Sequence, residues 1–439
     1  MSMVTKDMME KDVTNPIINL LHTWPKIFKG IHTNIEENRK VCRDIINTLD
    51  AGDEKISAIF ITIQFGYVCT EILNHYQVPI IAISPPGLAP HLARILGNPD
   101  NPADRPDAFV PMVEPLSFTQ RLVSTLIYIL LDSEINILTY WAFQSFVVDL
   151  PIYDNILRNR VDLLLLASHH VTHSPSVLAP NTLEIGGIHC REGRPLPLHL
   201  QQIMDSHPEG VVYVSFGSSV KPSQMGEERM KVFLETFSQL SYTVIWKWDG
   251  EEMSDLPSNV ILQTWVPQQD LLAHPHLKVF VTHGGLLSLQ ETLYHSTPIV
   301  GIPLGNDQKP NMMRAEIRGY AVMLDWPSLN TENFVAAINK AATDPEIAAS
   351  MERAHAMFVD SAESPQARAV WWVEYAVRNG GAQFLRPVSA TMPWYQYHLL
   401  DVFLFAATLL LSIITTLFFC CFKCFRCLSV RRASKHKKD

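Results

Sequence analysis

The chain has 439 residues, 47% hydrophobic and 18% charged, with a formal net charge of −9. Low charge with high hydrophobicity excludes a disordered chain, and the acidic balance excludes a nucleic-acid binder working through a global basic field. The charge is uneven: the segment from Lys423 onward holds seven Lys/Arg and one Asp, so it carries +6 and the preceding 422 residues carry −15. Cys420, Cys421, Cys424 and Cys427 crowd that same end. Cys42, Cys69 and Cys190 allow at most one disulfide among them, which excludes a disulfide scaffold. Neither paired Cys-x-x-Cys motifs nor His-Glu-x-x-His occurs in the body, so the sequence gives no support for a metal.

The chain opens on a polar, charged stretch from Met1 to Asp7 with no apolar core of a secretory signal, and it is read as lacking a natural N-terminal piece, with a true short form of different topology as the alternative. Apolar runs at 58–63, 78–83 and 161–167 are expected strands. Pro85-Pro86-Gly87 and residues 97–106 are turn and loop chemistry. Residues 118–143 are long and apolar but interrupted by Arg121, Asp132 and Glu134, which suits a core or membrane-facing helix pair better than a span. From residue 210 the alternation is clean. Strands are expected at 211–218, ending in a small-residue turn, and at 242–248, 260–264, 278–282, 298–303 and 320–325. Helices are expected at 286–294, 312–318, 331–343 and 346–358, with another carrying Met230, Phe233, Phe237 and Leu240 on one face. Such alternation implies a parallel sheet covered by helices, with ligands bound beyond the carboxyl ends of the strands.

Three of those strand ends, consecutive in sequence, carry the chemistry. Thr282-His283-Gly284-Gly285 runs into an expected helix, whose free N–H groups and positive dipole end suit a diphosphate, with Ser288 as a further donor. Trp265 and Gln268 follow the previous strand and offer a stacking ring and an amide for a base. Glu291 can accept from a ribose, and Asp307 with Gln308 can bond sugar hydroxyls.

Residues 402–422 contain no charge, and at 1.5 Å per residue they span about 31 Å, a bilayer core's thickness. Trp394, Tyr395 and Tyr397 precede this run, and Lys423, Arg426, Arg431 and Arg432 follow it. The positive-inside rule then places the tail in the cytosol and the body across the membrane. The terminal Lys435-His436-Lys437-Lys438-Asp439 resembles the dilysine retrieval signal of endoplasmic reticulum membrane proteins.

The 44 residues from Trp265 to Gln308 resemble the signature of the UDP-glycosyltransferases, the membrane-bound enzymes of detoxification. Glu184-Ile185-Gly186-Gly187-Ile188-His189, Val214-Ser215-Phe216-Gly217-Ser218 and the C-terminal anchor extend the likeness. Gly97-Asn98-Pro99-Asp100-Asn101-Pro102 with Ser117-Phe118 is similar to the arthropod branch. The resemblance implies an α/β chain of GT-B fold, two Rossmann-like domains facing across a cleft, plus one C-terminal transmembrane helix. Residues 1–190 would form an incomplete acceptor-binding domain and 191–375 the UDP-sugar-binding domain. A juxtamembrane segment (376–401), the span (402–422) and a basic cytosolic tail (423–439) would follow.

The implied donor-site residues are Trp265 on the uracil, Gln268 beside it, and Ser218, His283, Gly285 and Ser288 on the diphosphate. Glu291 would take the ribose, and Asp307 with Gln308 the sugar. Leu287 stands where vertebrate members have Asn, and Gly305 and Asn306 also depart from the family pattern.

The implied activity is inverting transfer of a hexosyl group, glucose before other sugars, from a UDP-sugar to a small lipophilic acceptor. UDP-sugar is then the donor substrate, with neither metal nor cofactor. Membrane and possible homo- or heterodimer partners are implied, and nucleic acid is not. The implied place is the endoplasmic reticulum membrane, single-pass, with a lumenal body. In the family a histidine early in the acceptor domain is the base and an acid orients it. No catalytic residue is assigned here, because the chain starts after that histidine and Ile63 stands at the acid position. His22, His32, His75 and His91 are read as surface or core, and His169, His170 and His173 as a loop cluster rather than a metal site. The missing base favours, as the alternative, a UDP-sugar-binding subunit without catalysis.

Overall fold

The computed structural model describes residues 35–435 apart from 54, 64–65, 89, 107–109, 132–149, 219, 252 and 254. Two parallel sheets organise the unit that ends at Pro387, and a separate helical unit begins at Val388.

The first sheet orders β1 (Ile59–Thr62), β2 (Ile80–Ser84), β3 (Val161–Leu166) and β4 (Thr182–Glu184) side by side, all parallel. β3 is buried along its whole length, hence its largely apolar run. One charge interrupts that run, and the register explains it. The ladder slips between Ile80 and Ile81, so Val161 and Leu163 are paired while Asp162 is passed over. Its carboxylate accepts from Ile80 N at 3.0 Å and Ala382 N at 2.6 Å. Helices α1 (Ile35–Asp50), α2 (Thr70–His75), α3 (Pro90–Ile95), α4 (Phe118–Leu131) and α5 (Leu150–Arg160) accompany this sheet. A Cys42–Cys69 disulfide ties α1 to the turn before α2. The α4 helix buries Ser124 and Tyr128 and exposes Phe118, Leu122, Leu126 and Ile129. The second member of the expected helix pair lies outside the described residues.

The second sheet contains β5 (Val211–Ser215), β6 (Thr243–Lys247), β7 (Val260–Gln263), β8 (Leu277–Thr282), β9 (Ile299–Gly301) and β10 (Ala321–Met323). Their spatial order is β10-β9-β8-β5-β6-β7, all parallel, which is the 3-2-1-4-5-6 order of a dinucleotide-binding sheet. The chain reverses direction of growth between β5 and β8. Period-two alternation sends Val212 and Val214 to a core with Phe233, Phe237, Trp246 and Phe334, and Val211 and Tyr213 to another with Leu271 and Phe280. Helices α6 (Leu198–Asp205), α7 (Glu227–Ser238), α8 (Gln268–Leu272), α9 (Leu286–Tyr294), α10 (Gln308–Ile317), α11 (Thr331–Thr343) and α12 (Pro345–Val359) supply the covering layers. The α9 and α11 bounds coincide with those expected. The α10 helix starts four residues before the expected 312, because Pro310 falls in its first turn, where a missing N–H costs no helical bond.

The closing helix α13 (Pro365–Arg378) runs across the expected domain boundary at residue 375. Ala369, Ala376 and Ala382 are buried with Ile81, Leu163, Leu165 and Leu183 of the first sheet. Arg386 donates to the carbonyls of Val161, Ile95 and Leu157. Residues 376–401 were expected as a juxtamembrane segment, and of these Ala376, Ala382 and Arg386 lie against the first domain.

In the second unit, α14 (Trp394–Tyr397) leads to α15 (Leu400–Lys435). Its Leu400–Arg426 portion is long and apolar enough to cross a membrane.

Candidate functional site

The carboxyl edge of the second sheet gathers the polar groups, and the switch between β5 and β8 sets their centre. After β5 the chain turns through Gly217 at φ +74, and Ser218 is exposed. After β8, His283 lies between two glycines. A Cβ on Gly217 would sit 3.0 Å from its Cε1, and one on Gly285 would sit 2.7 Å from its Nε2. This enclosure, with the Lys247 charge beside it, pushes the His283 pKa down to about 4. The imidazole is therefore neutral at physiological pH, with one donor and one acceptor nitrogen. Gly284, at φ +84, has a different reason to be glycine: a Cβ would meet Met312 Cγ at 2.4 Å. The glycines thus serve internal packing as well as access.

Gly285 is the N-cap of α9 and brings no side chain to it, so the first N–H groups of the helix have no capping side chain. One turn in, Ser288 Oγ accepts from Gln268 Nε2 at 3.0 Å, and Glu291 Oε2 accepts from the same nitrogen at 2.5 Å. Burial raises the Glu291 pKa against the opposing Gln268 bond. The sequence suggested Gln268 as an amide free for a base. Its Nε2 is instead engaged by Ser288 and Glu291, because α8 packs directly against α9.

The third strand end is a tight loop. Gln308 Oε1 accepts from Leu304 N at 2.9 Å and Gly305 N at 3.0 Å, so its carbonyl holds the loop. Asn306 occupies φ +54, a conformation that Asn tolerates better than most side chains. Asp307 Oδ2 accepts from Asn311 Nδ2 at 2.9 Å, and that nitrogen also reaches Gly284 O at 3.2 Å. Burial raises the Asp307 pKa, again opposed by its hydrogen bond.

Trp265 stands apart from these in the sheet, since β5 and β6 separate β7 from β8. The ring is 72% exposed and offers an open aromatic face. Lys247, at the end of β6, bridges the gap: its Nζ donates to Gly217 O at 3.3 Å and lies 5.7 Å from the Trp265 ring centroid. Lys247 and Asn311 were missed in the sequence. Lys247 closes an apolar strand and reads there as an outward residue, and Asn311 lies within the first turn of α10.

A second network backs α8 from behind. Arg191 pairs with Asp270 at 2.5 Å, Gln269 Nε2 donates to His189 O, and His189 Nε2 lies 3.9 Å from Glu291. The segment after the Gly186-Gly187 turn is thus docked onto the helix that orients Glu291.

The first sheet's strand ends are different in kind. Ile63 is buried in an apolar core with Ile61, Leu73 and Ile80. His75 pairs with Asp50 at 2.9 Å on the surface, and His22 and His32 lie outside the described residues. His169 and His170 place their rings 4.1 Å apart, and His173 Nδ1 bonds Thr172 Oγ1 at 2.9 Å. Burial pushes His169 down to about 4 and His173 to about 3.

Comparison with known proteins agrees with this arrangement. The family described as UDP-glucoronosyl and UDP-glucosyl transferase matches residues 4–438. UDP-glycosyltransferase UGT5 of Dactylopius coccus is 31% identical over 422 residues, covering 93% of this chain and 78% of that protein. UDP-glucuronosyltransferase 2B7 of Homo sapiens is 34% identical over 344 residues, 76% of this chain and 64% of its own length. Among solved structures, the glycotransferase of kitacinnamycin superposes with a TM-score of 0.53 at 20% identity, covering 78% of this chain and 82% of that one. LpCGTa in complex with UDP gives 0.53 at 16% identity, covering 78% and 80%. With two parallel Rossmann-like sheets and that family match, the chain belongs to the UDP-glucuronosyl and UDP-glucosyl transferases, UDP-sugar-dependent enzymes of GT-B fold.

Proposed function

We propose that this chain transfers a hexosyl group, glucose in preference to glucuronate, from a UDP-sugar to a small lipophilic acceptor with inversion, in the manner of a detoxification enzyme. The observation that carries the reading is the joined cluster of Gln268, Ser288 and Glu291 behind the uncapped N-terminus of α9, beside a neutral His283. On this reading Trp265 stacks the uracil and Glu291 accepts from the ribose. His283, Gly285, Ser288 and Ser218 bond the diphosphate, and Asp307 and the free amide end of Gln308 take the sugar.

Transfer breaks the bond from the anomeric carbon to the diphosphate oxygen, so negative charge grows on the leaving UDP. The Lys247 ammonium and the α9 N–H groups stabilise that charge as it develops. The α10 arginines are engaged elsewhere, Arg314 with Glu114 at 3.5 Å and Arg318 with loop carbonyls, which favours a neutral sugar over a carboxylated one.

The division of labour follows the two sheets, with the acceptor on the first and the donor on the second, and with α13 assigned to the acceptor half on its packing. Residues 402–422 are proposed as a single membrane span. Two observations favour a body in an oxidising lumen such as that of the endoplasmic reticulum: the basic tail and the Cys42–Cys69 disulfide. Pairing with a second copy or a relative rests on the family alone.

A second reading, a UDP-sugar-binding subunit without catalysis, is favoured by Ile63, whose buried apolar side chain can orient no imidazolium. One experiment separates the two. The full chain in membranes is titrated with UDP and then assayed for UDP release from UDP-glucose with a panel of phenolic acceptors. Turnover is expected; UDP binding with no release for any acceptor sinks the enzymatic reading in favour of the second.

A further inference from the structure

The opposite face of α9 carries a polar group that donor binding does not use. Gln290 is 0% exposed. Its Nε2 donates to Ala167 O at 2.6 Å, and its Oε1 accepts from Gly187 N at 3.0 Å. Both partners are main-chain groups of the first domain. Ala167 follows β3, and Gly187, at φ +83, follows β4. Where parallel strands end, a carbonyl and an N–H are left without ladder partners, and burial makes them costly to leave unpaired. A primary amide supplies one donor and one acceptor at once without charge. No apolar side chain can fill this role, and a carboxylate offers only acceptors.

The two faces of α9 therefore bond to different partners. Ser288 and Glu291 meet Gln268 on the donor side, while Gln290 is fixed to the strand ends of the other domain. Other contacts cross the same boundary. Arg318 donates to the His170, Val171 and His173 carbonyls, and the Phe358 ring lies 4.6 Å from that of His169. A nine-residue helix moves as a unit, so restraint on one face is felt on the other.

We propose that Gln290 is a positioning residue: it locks the helix that receives the nucleoside diphosphate to the β3 and β4 ends of the acceptor half, so that occupancy of the donor site tightens those ends. The proposal rests on the reading of α9 as the UDP site, and the test keeps the two apart.

Hydrogen exchange of the full chain is followed with and without UDP, for the parent and for Gln290→Met, which keeps length and bulk but neither hydrogen bond. In the parent, UDP is expected to slow exchange several-fold in 265–291 and also in 184–190. In Gln290→Met the first effect persists and the second disappears. A merely structural role would instead raise exchange at 184–190 by the same factor with and without UDP, and that result overturns the proposal. So does a parent in which UDP protects 265–291 but leaves 184–190 unchanged, a result that needs no variant to fold. Absence of protection at 265–291 overturns the UDP site itself, and the proposal with it. If Gln290→Met does not fold, Gln290→Glu replaces it; it retains an acceptor for Gly187 N–H, and part of the UDP effect at 184–190 is expected to survive.

Discussion

The two sheets share one plan, parallel strands with helices between them, yet their carboxyl ends are chemically unlike. The first sheet ends in Ile63, Ser84 and Ala167, which are buried, and the Ser84 hydroxyl is already bonded to Gly87 O. The second ends in Ser218, Lys247, Trp265, His283 and Asp307, partly or largely open. Their carboxylates differ in the same sense. Asp162, near the amino end of β3, accepts from Ile80 N, Ala382 N and Gln383 Nε2. Glu291 and Asp307 lie at the carboxyl edge, are held chiefly by side-chain amides, and have pKa values raised by burial. A carboxylate saturated by backbone donors serves folding, and one held by exchangeable amides can change partners when a ligand arrives. The family fold alone does not distinguish these roles; the satisfaction of each group does.

The sharpest way to break this comparison is at Asp162. Asp162→Ala removes the acceptor of two buried main-chain N–H groups, each left unsatisfied at about 1–3 kcal/mol. Unfolding by denaturant is expected to show a loss of about 2–5 kcal/mol, with UDP affinity of the folded fraction unchanged. A loss below about 1 kcal/mol, or an equal loss of UDP affinity, would mean that the first sheet's carboxylate is not purely architectural.

Glu291→Ala probes the opposite case. Calorimetric titration should show UDP binding weakened by about 1–3 kcal/mol through lost ribose hydrogen bonds, while the thermal midpoint moves little. Gln268 then loses one of its two acceptors and keeps Ser288. Unchanged affinity would refute the ribose assignment and leave Glu291 as a clamp on α8.

The second sheet was legible because its signals are local. The alternation in Val211–Ser215 and the glycines after Thr282 fix strand, turn and helix within a few residues. The nine residues expected at the donor site lie on the turns and helices that follow β5, β7, β8 and β9. What escaped was non-local. Strand ends that are consecutive in sequence proved not to be neighbours in space, since β5 and β6 lie between β7 and β8. Most of α13 was assigned to the UDP-sugar-binding half, because its partner β3 lies some two hundred residues earlier in the chain. The charge of Asp162 within an apolar strand could be noticed in the sequence, but its partner Ala382 N could not. Gln268 and Gln308 were read as amides facing a ligand, yet Gln268 commits both ends to the protein, its Nε2 to Ser288 and Glu291 and its Oε1 to the Tyr213 hydroxyl, while Gln308 commits its carbonyl, a division that only packing decides.

The smallest expected effect tests whether Lys247, the cation that joins the two parts of the second sheet's edge, belongs to the site. It is partly exposed, so its charge is screened, and neutralising it by Lys247→Met should weaken UDP binding by only about 0.5–1 kcal/mol. Salt dependence reads the charge more directly than affinity does. Parent affinity for UDP should fall as ionic strength rises, and the variant's should fall less, while uridine, which lacks the diphosphate, should bind both alike. The same substitution removes one of the two causes that depress His283, so the imidazole should titrate above its value of about 4 in the variant, by NMR. Burial still holds it below the ordinary histidine range, so His283 stays neutral near pH 7 and any change in UDP affinity there belongs to Lys247 itself. Identical salt slopes for parent and variant would place Lys247 outside the diphosphate's reach. It would then be a strut between Gly217 and Trp265, and the positive charge of the site would come from the α9 N-terminus alone.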